Sequence, residues 1–156
     1  MPAVEQVLLS SRRGIRPSAR LAPDQDRTGP AQSAVTIMVV DDDDRVRRVT
    51  ARMLRDEGYD VLEARSGEQA LEQLAGAEQV QIVLTDIAMP GGMNGVELAE
   101  KVLAEAPWRR IVLMSGYDRL FPKWGSIGAR FPLLMKPFKA DQLIQQMSEV
   151  LKRELH

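Results

Sequence analysis

The chain has 156 residues, enough for one domain with a substantial core and too few for two comfortable ones. Apolar residues make up 44% and charged residues 28%, an ordinary balance for a globular protein, and the formal net charge of −1 gives no reason to expect nucleic acid or an anionic membrane as the main partner. The absence of Cys excludes a disulfide framework, a thiolate metal site and a thiol nucleophile.

Residues 1–33 differ in character from the rest. They carry Arg12, Arg13, Arg16, Arg20 and Arg27, with Pro17, Pro23 and Pro30, and few apolar residues after Leu9. A disordered Arg- and Pro-containing tail is expected here, with the folded domain running from 34 to 156; a short docking helix over Val4 to Ser11 is the alternative. Val7-Leu8-Leu9 is too short for a secretion signal and no basic residue precedes it. No apolar run approaches the roughly 20 residues that span a bilayer. A cytoplasmic location is the resulting expectation.

From Val35 onward, short apolar runs alternate with amphipathic stretches. Ile37-Met38-Val39-Val40 predicts a first strand, continuous rather than alternating, as in a parallel sheet buried on both faces. Val46, Val49, Met53 and Leu54 form the stripe of a first helix, with Asp44 in the place of its cap and Gly58 at its end. Val61-Leu62-Glu63-Ala64 is more mixed and suits an edge strand. Ser66-Gly67-Glu68-Gln69 has the form of a capping box, opening a helix with Ala70, Leu71 and Leu74. Ile82-Val83-Leu84 is a third buried run. Asn94 caps a helix carrying Val96, Ala99, Val102 and Leu103, which stops before Pro107. Ile111-Val112-Leu113-Met114 follows as a fourth strand. Residues 118–130 should hold the fourth helix, yet Pro122, Gly125 and Gly128 disfavour a regular one. Leu133-Leu134-Met135 is a fifth buried run, and Leu143, Ile144, Met147, Val150 and Leu151 stripe a last helix. No internal repeat is visible. Five β-α units with right-handed crossovers give an α/β fold, an open parallel sheet with helices on both faces.

In open α/β sheets, sites form beyond the carboxyl ends of the strands. The first run ends at Asp41, followed by Asp42, Asp43 and Asp44; the third ends at Thr85-Asp86, the fourth at Ser115 and the fifth at Lys136. Each residue alone has a bland reading as a solvated loop, a helix cap, a turn or a surface lysine. Their arrival together at one rim is far more specific. Clustered carboxylates raise one another's pKa unless a cation relieves them. Hard oxygen ligands that leave water in place suit Mg²⁺. One carboxylate can act as nucleophile and form an acyl phosphate, while a metal, a lysine and a hydroxyl neutralise charge on the transferring oxygens.

Val39-Val40-Asp41-Asp42, Thr85-Asp86-Ile87-Ala88-Met89-Pro90, Met114-Ser115-Gly116 and Lys136-Pro137-Phe138 together resemble the signature segments of receiver domains of two-component response regulators. The resemblance runs from about Thr36 to Leu155. It implies a flavodoxin-like, doubly wound five-stranded sheet in the order 2-1-3-4-5. It implies that Asp86 accepts the phosphoryl group and that Asp42 binds the metal directly. Asp41 would act beside it, often through water, and Ala88 would offer its backbone carbonyl. Ser115 corresponds to the switch hydroxyl and Lys136 to the ion-pairing lysine, whose bond to Pro137 is cis in many relatives.

Three features depart from the usual pattern. The loop Pro90-Gly91-Gly92-Met93-Asn94-Gly95 is one residue longer than the usual pattern, the fourth helix is poor, and Leu133 replaces a switching aromatic residue. These resemble receivers associated with hybrid sensor kinases. The resemblance further implies a phosphoprotein with Mg²⁺ as cofactor, phosphorylated by a sensor histidine kinase or a histidine phosphotransfer protein. It would be read by a separate downstream protein, with no nucleic-acid or membrane partner, and would catalyse only its own phosphorylation and dephosphorylation. With the chain ending at His156, a single-domain, monomeric regulator is expected. Ala88 and Tyr117 are placed to set the lifetime of the acyl phosphate, and the stretch from Phe121 to Gly128 to order on phosphorylation. Two other readings compete. Asp42-Asp43-Asp44-Arg45-Val46 also fits the opening motif of haloacid-dehalogenase-type phosphatases, though no later acidic motif follows Lys136. A vestigial receiver serving as a binding module is the other.

Overall fold

The computed structural model describes residues 34–116 and 124–153. The expectations for the tail, for Tyr117 and for Phe121 fall outside these residues. The elements in chain order are β1 (Thr36–Val40), α1 (Asp44–Asp56), β2 (Asp60–Ala64), α2 (Gly67–Leu74), β3 (Val80–Asp86), α3 (Gly95–Glu105), β4 (Arg110–Gly116), α4 (Trp124–Arg130), β5 (Leu133–Lys136) and α5 (Ala140–Lys152). All strand pairs are parallel, and the five strands stand in the order β2-β1-β3-β4-β5.

The continuous apolar runs arise because each central strand feeds two cores. Ile37 and Val39 of β1, Ile82 and Leu84 of β3, and Val112 and Met114 of β4 pack with Leu54 of α1 and with Leu143, Met147 and Val150 of α5. The alternate residues Met38, Val40, Val83, Ile111 and Leu113 face Ala70 and Leu74 of α2, Leu98, Ala99 and Val102 of α3, and Phe131. Each fully buried aliphatic side chain of this kind contributes about 2 kcal/mol. β5 differs from its predicted character. Only Leu134 is buried and Met135 is exposed, because β5 is the sheet's outer strand.

Local signals terminate the helices. At the end of α1, Gly58 adopts φ +104°, and the amides of Gly58 and Tyr59 return to the carbonyls of Arg55 and Leu54. This is the paired closure that a left-handed residue after a helix makes possible. The cap of α1 is Asp43 rather than Asp44. Asp43 has extended backbone, and its Oδ1 accepts from the amides of Arg45 and Val46 at 3.0 and 3.2 Å, leaving Asp44 as the first helical residue. Asn94 and Glu97 form a reciprocal capping box at α3. Ser66 caps α2 through Gln69, whose own side chain reaches back to the Arg65 amide.

The fourth helix forms, though it is short. Pro122 precedes it, so no ring interrupts the helix, and Gly128 lets Leu133 come close: a Cβ there would sit 3.3 Å from Leu133 Cδ1. No helix among the described residues is long and apolar enough to cross a membrane.

Candidate functional site

Strand register builds the site. Val40 is paired with Thr85, so the chains leaving β1 and β3 deliver Asp41 and Asp86 side by side. This is where the strand order reverses, the crevice in which open α/β sheets place their ligands. The Asp41 amide continues the ladder to Ala64, and the Ile87 amide continues it to Met114, so both backbones stay fixed past the strand ends. On the other side, Gly116 is paired with Lys136, which brings the lysine to the same rim. The Lys136–Pro137 peptide is cis, as the resemblance implied.

Asp41 is fully buried. Its Oδ1 accepts from the Asp43 amide at 3.0 Å and its Oδ2 from Lys136 Nζ at 2.9 Å. Lys136 Nζ also lies 3.3 Å from Asp86 Oδ2. Asp42 is exposed, and one carboxylate oxygen from each of Asp41, Asp42 and Asp86 falls within 4.8 Å of the others. They open into a cleft of about 550 Å³ whose walls include Ala88, Asn94 and Gly116.

Burial pushes the Asp86 carboxyl up to about 6; the charge of Lys136 opposes this, and the charges of Asp41 and Asp42 add to it. Burial alone would lower Lys136, but its hydrogen bond to Asp41 and the charges of Asp86 and Asp41 more than offset that, and its net displacement is upward. A buried carboxylate beside two others, with one lysine shared between two of them, is a donor set short of positive charge. Three oxygens this close suit a hard divalent cation that keeps some of its water.

The structure thus gathers Asp41, Asp42, Asp86, Ala88 and Lys136 around one cleft. Ser115 is buried at the end of β4, and its Oγ donates to the Gly116 carbonyl at 2.9 Å; the backbone of Gly116, not Ser115, reaches the cleft wall. Sequence reasoning missed two residues. Gly95 opens α3 directly beneath β3, where a Cβ would fall 2.1 Å from the Asp86 carbonyl oxygen. Its amide donates to the Ile87 carbonyl at 2.8 Å. A glycine immediately after a helix cap was the available signal. Arg47, buried in α1, donates to the Asp41 carbonyl at 3.0 Å. Only its place on the inner face of an otherwise ordinary amphipathic helix hinted at that.

Residues 37–148 match the family described as the response regulator receiver domain. The chain belongs to that family. The sensor kinase CckA of Brucella abortus is 35% identical over 125 residues, which cover 78% of this chain and 13% of that protein. The nitrogen assimilation regulatory protein NtrX of Azorhizobium caulinodans is 32% identical over 111 residues, covering 69% of this chain and 24% of that protein. The receiver therefore spans a minor part of these curated relatives. Among solved structures, a response regulator receiver protein from Sinorhizobium medicae superposes with a TM-score of 0.68 at 33% identity, covering 76% of this chain and 94% of its own. The receiver domain of the hybrid histidine kinase CckA superposes at 0.59 with 30% identity, covering 75% and 99%. The likeness to hybrid-kinase receivers is met in these proteins, and the haloacid-dehalogenase reading is left without support.

Proposed function

We propose that this receiver accepts a phosphoryl group on Asp86 from a phosphohistidine of a sensor histidine kinase or phosphotransfer protein, and relays the signal by binding a separate downstream protein. The observation that carries this reading is the convergence of Asp41, Asp42 and Asp86 within 4.8 Å, with Lys136 shared between the two buried ones. In the transfer, an Asp86 carboxylate oxygen attacks phosphorus in line. The O–P bond forms as the N–P bond breaks, and the imidazole leaves with the electron pair. Lys136, already 3.3 Å from Asp86 Oδ2, faces the charge that gathers on the transferring oxygens. Ser115 joins once its hydroxyl gives up the Gly116 carbonyl. Asp41, Asp42, Asp86 and the Ala88 carbonyl would hold Mg²⁺, which would supply further charge neutralisation there. The protein turns over no outside substrate and acts as a monomer.

Acetyl phosphate labelling followed by mass spectrometry tests the acceptor. Wild type is expected to take one phosphoryl group, and Asp86→Asn none while staying folded. Undiminished labelling of the variant refutes the assignment, and an unlabelled wild type favours a binding module that has lost its chemistry.

A further inference from the structure

Four aspartates follow one another after β1, and the structure gives them four different tasks. Asp41 is locked by Lys136 and the Asp43 amide. Asp43 caps α1. Asp44 lies with its Oδ1 2.8 Å from Arg47 Nη1 and 3.7 Å from Arg65 Nε. Among the described residues, nothing engages the carboxylate of Asp42, which stands at the cleft. Something must hold this acidic turn in a single course against its own repulsion, and among the described residues one buried cation lies against its backbone.

That cation is Arg47, 6% exposed. Its Nη1 donates to the Asp41 carbonyl at 3.0 Å, and its Nε to Glu63 Oε1 at 3.1 Å. Glu63 sits on β2 and is itself held by Arg55, which also donates to the Val61 carbonyl. The guanidinium is therefore anchored from the sheet edge. The Asp41 carbonyl belongs to the peptide plane shared with Asp42. Fixing that oxygen fixes the plane, and with it the direction in which the Asp42 side chain leaves the backbone. The same guanidinium engages Asp44, which does not line the cleft.

We propose that Arg47 is a positioning residue for the cation site: it orients the Asp41–Asp42 peptide so that Asp42 faces the cleft, and it withholds Asp44. The inference rests on the reading of the cleft as a Mg²⁺ site. Three roles predict different outcomes. A plain staple between α1 and β2 lowers stability when lost and leaves the cation affinity of the folded protein unchanged. A distant positive charge repels the cation, so its removal tightens binding. A positioning residue weakens binding when lost, against the electrostatic trend. Partners behind the direct ligands of a metal typically carry 10- to 100-fold in affinity.

Calorimetric titration of the full chain with MgCl₂ separates them, with thermal unfolding measured alongside. Arg47→Met is expected to bind Mg²⁺ about 10-fold more weakly than wild type. Arg47→Lys is expected to recover part of that loss, because an ammonium cannot reproduce the fork that meets Asp41, Asp44 and Glu63 together. Glu63→Gln keeps the arginine but loosens its anchor, and is expected to show a smaller loss in the same direction. If Arg47→Met does not fold, Arg47→Lys decides, because it keeps the charge and loses the fork. Unchanged or tighter Mg²⁺ binding in the folded variants overturns the inference, whatever the melting temperature does. No Mg²⁺ binding by wild type overturns the reading of the cleft and this inference with it.

Discussion

Removing the charge of Asp86 should stabilise the metal-free protein, by an amount that depends on pH. The folded carboxyl is raised from 3.8 to about 6. Folded Asp86 therefore holds its proton more tightly than the unfolded chain does. Its contribution favours folding fully below about pH 4 and is lost as pH climbs through about 6. At about 1.4 kcal/mol per pKa unit, the charged form costs about 3 kcal/mol at pH 7.5, an upper figure because salt and water in an open cleft screen the repulsion. At pH 4.5 the same linkage gives about 1 kcal/mol. Asp86→Asn carries no charge and keeps the shape, and Lys136 retains its bond to Asp41. Urea unfolding in EDTA, followed by circular dichroism, should show the variant ahead of wild type by about 1 kcal/mol at pH 4.5, widening toward about 3 at pH 7.5. The wider gap corresponds to roughly 10 °C in melting temperature for a domain of this size. Adding Mg²⁺ at pH 7.5 should close it, because wild type binds the cation better. A variant no more stable than wild type at pH 7.5, or a gap that ignores pH, would refute the reasoning.

Asp42→Ala should weaken Mg²⁺ binding and acetyl phosphate labelling together, read by calorimetry and mass spectrometry. Wild-type stability should rise by about 2.7 kcal/mol at a Mg²⁺ concentration 100 times Kd, and a melting temperature indifferent to Mg²⁺ would count against the site. Lys136→Met leaves the fully buried Asp41 carboxylate, among the described residues, with the Asp43 amide alone, and should cost about 3 kcal/mol as well as slowing phosphorylation. Gly95→Ala places a methyl against the Asp86 carbonyl, and should destabilise by about 1–3 kcal/mol and reduce labelling, measured by urea unfolding and mass spectrometry. Ala88→Asn introduces at the cleft wall an amide able to orient water, and should shorten the lifetime of the phosphorylated form in a chase experiment; an unchanged lifetime removes Ala88 from that role.

The sheet and its rim were legible because both depend on where apolar runs stop. Runs such as Ile82-Val83-Leu84 are buried on both faces, so their ends mark the sheet edge, and Asp41, Asp86 and Lys136 could be placed at one rim by strand logic alone. The edge character of β2 was visible in Glu63, but that of β5 was not. Leu133, Leu134 and Met135 look like a central strand, but β5 lies at the edge of the sheet and Met135 is exposed. Caps were legible in kind and uncertain in position. Among four successive aspartates nothing local distinguishes Asp43 from Asp44; the register of α1 against the sheet decides it. Propensity undersold α4, because Gly128 is disfavoured in an isolated helix yet is the residue that lets Leu133 approach. Gly95 and Arg47 escaped for a shared reason. Their roles are contacts with backbone oxygens of Asp86 and Asp41, and a main-chain acceptor leaves no mark in a sequence.

Those two contacts bear on how the site holds together before any cation arrives. Three carboxylates converge on the cleft, and Lys136 meets only two of them, so the cluster works against its own proximity. Side-chain bonding does not explain why Asp42 stays, since among the described residues no hydrogen bond or ion pair engages its carboxylate. Backbone placement does. The ladder carries Asp41 and Ile87 past the strand ends, Arg47 fixes the Asp41 carbonyl, and Gly95 lets α3 close against the Asp86 carbonyl. Each of these acts on the main chain and leaves the carboxylates free toward the cleft. The burial that raises Asp86, and the carboxylate repulsion that adds to it, are then consequences of geometry imposed by the fold, available to be relieved by a cation.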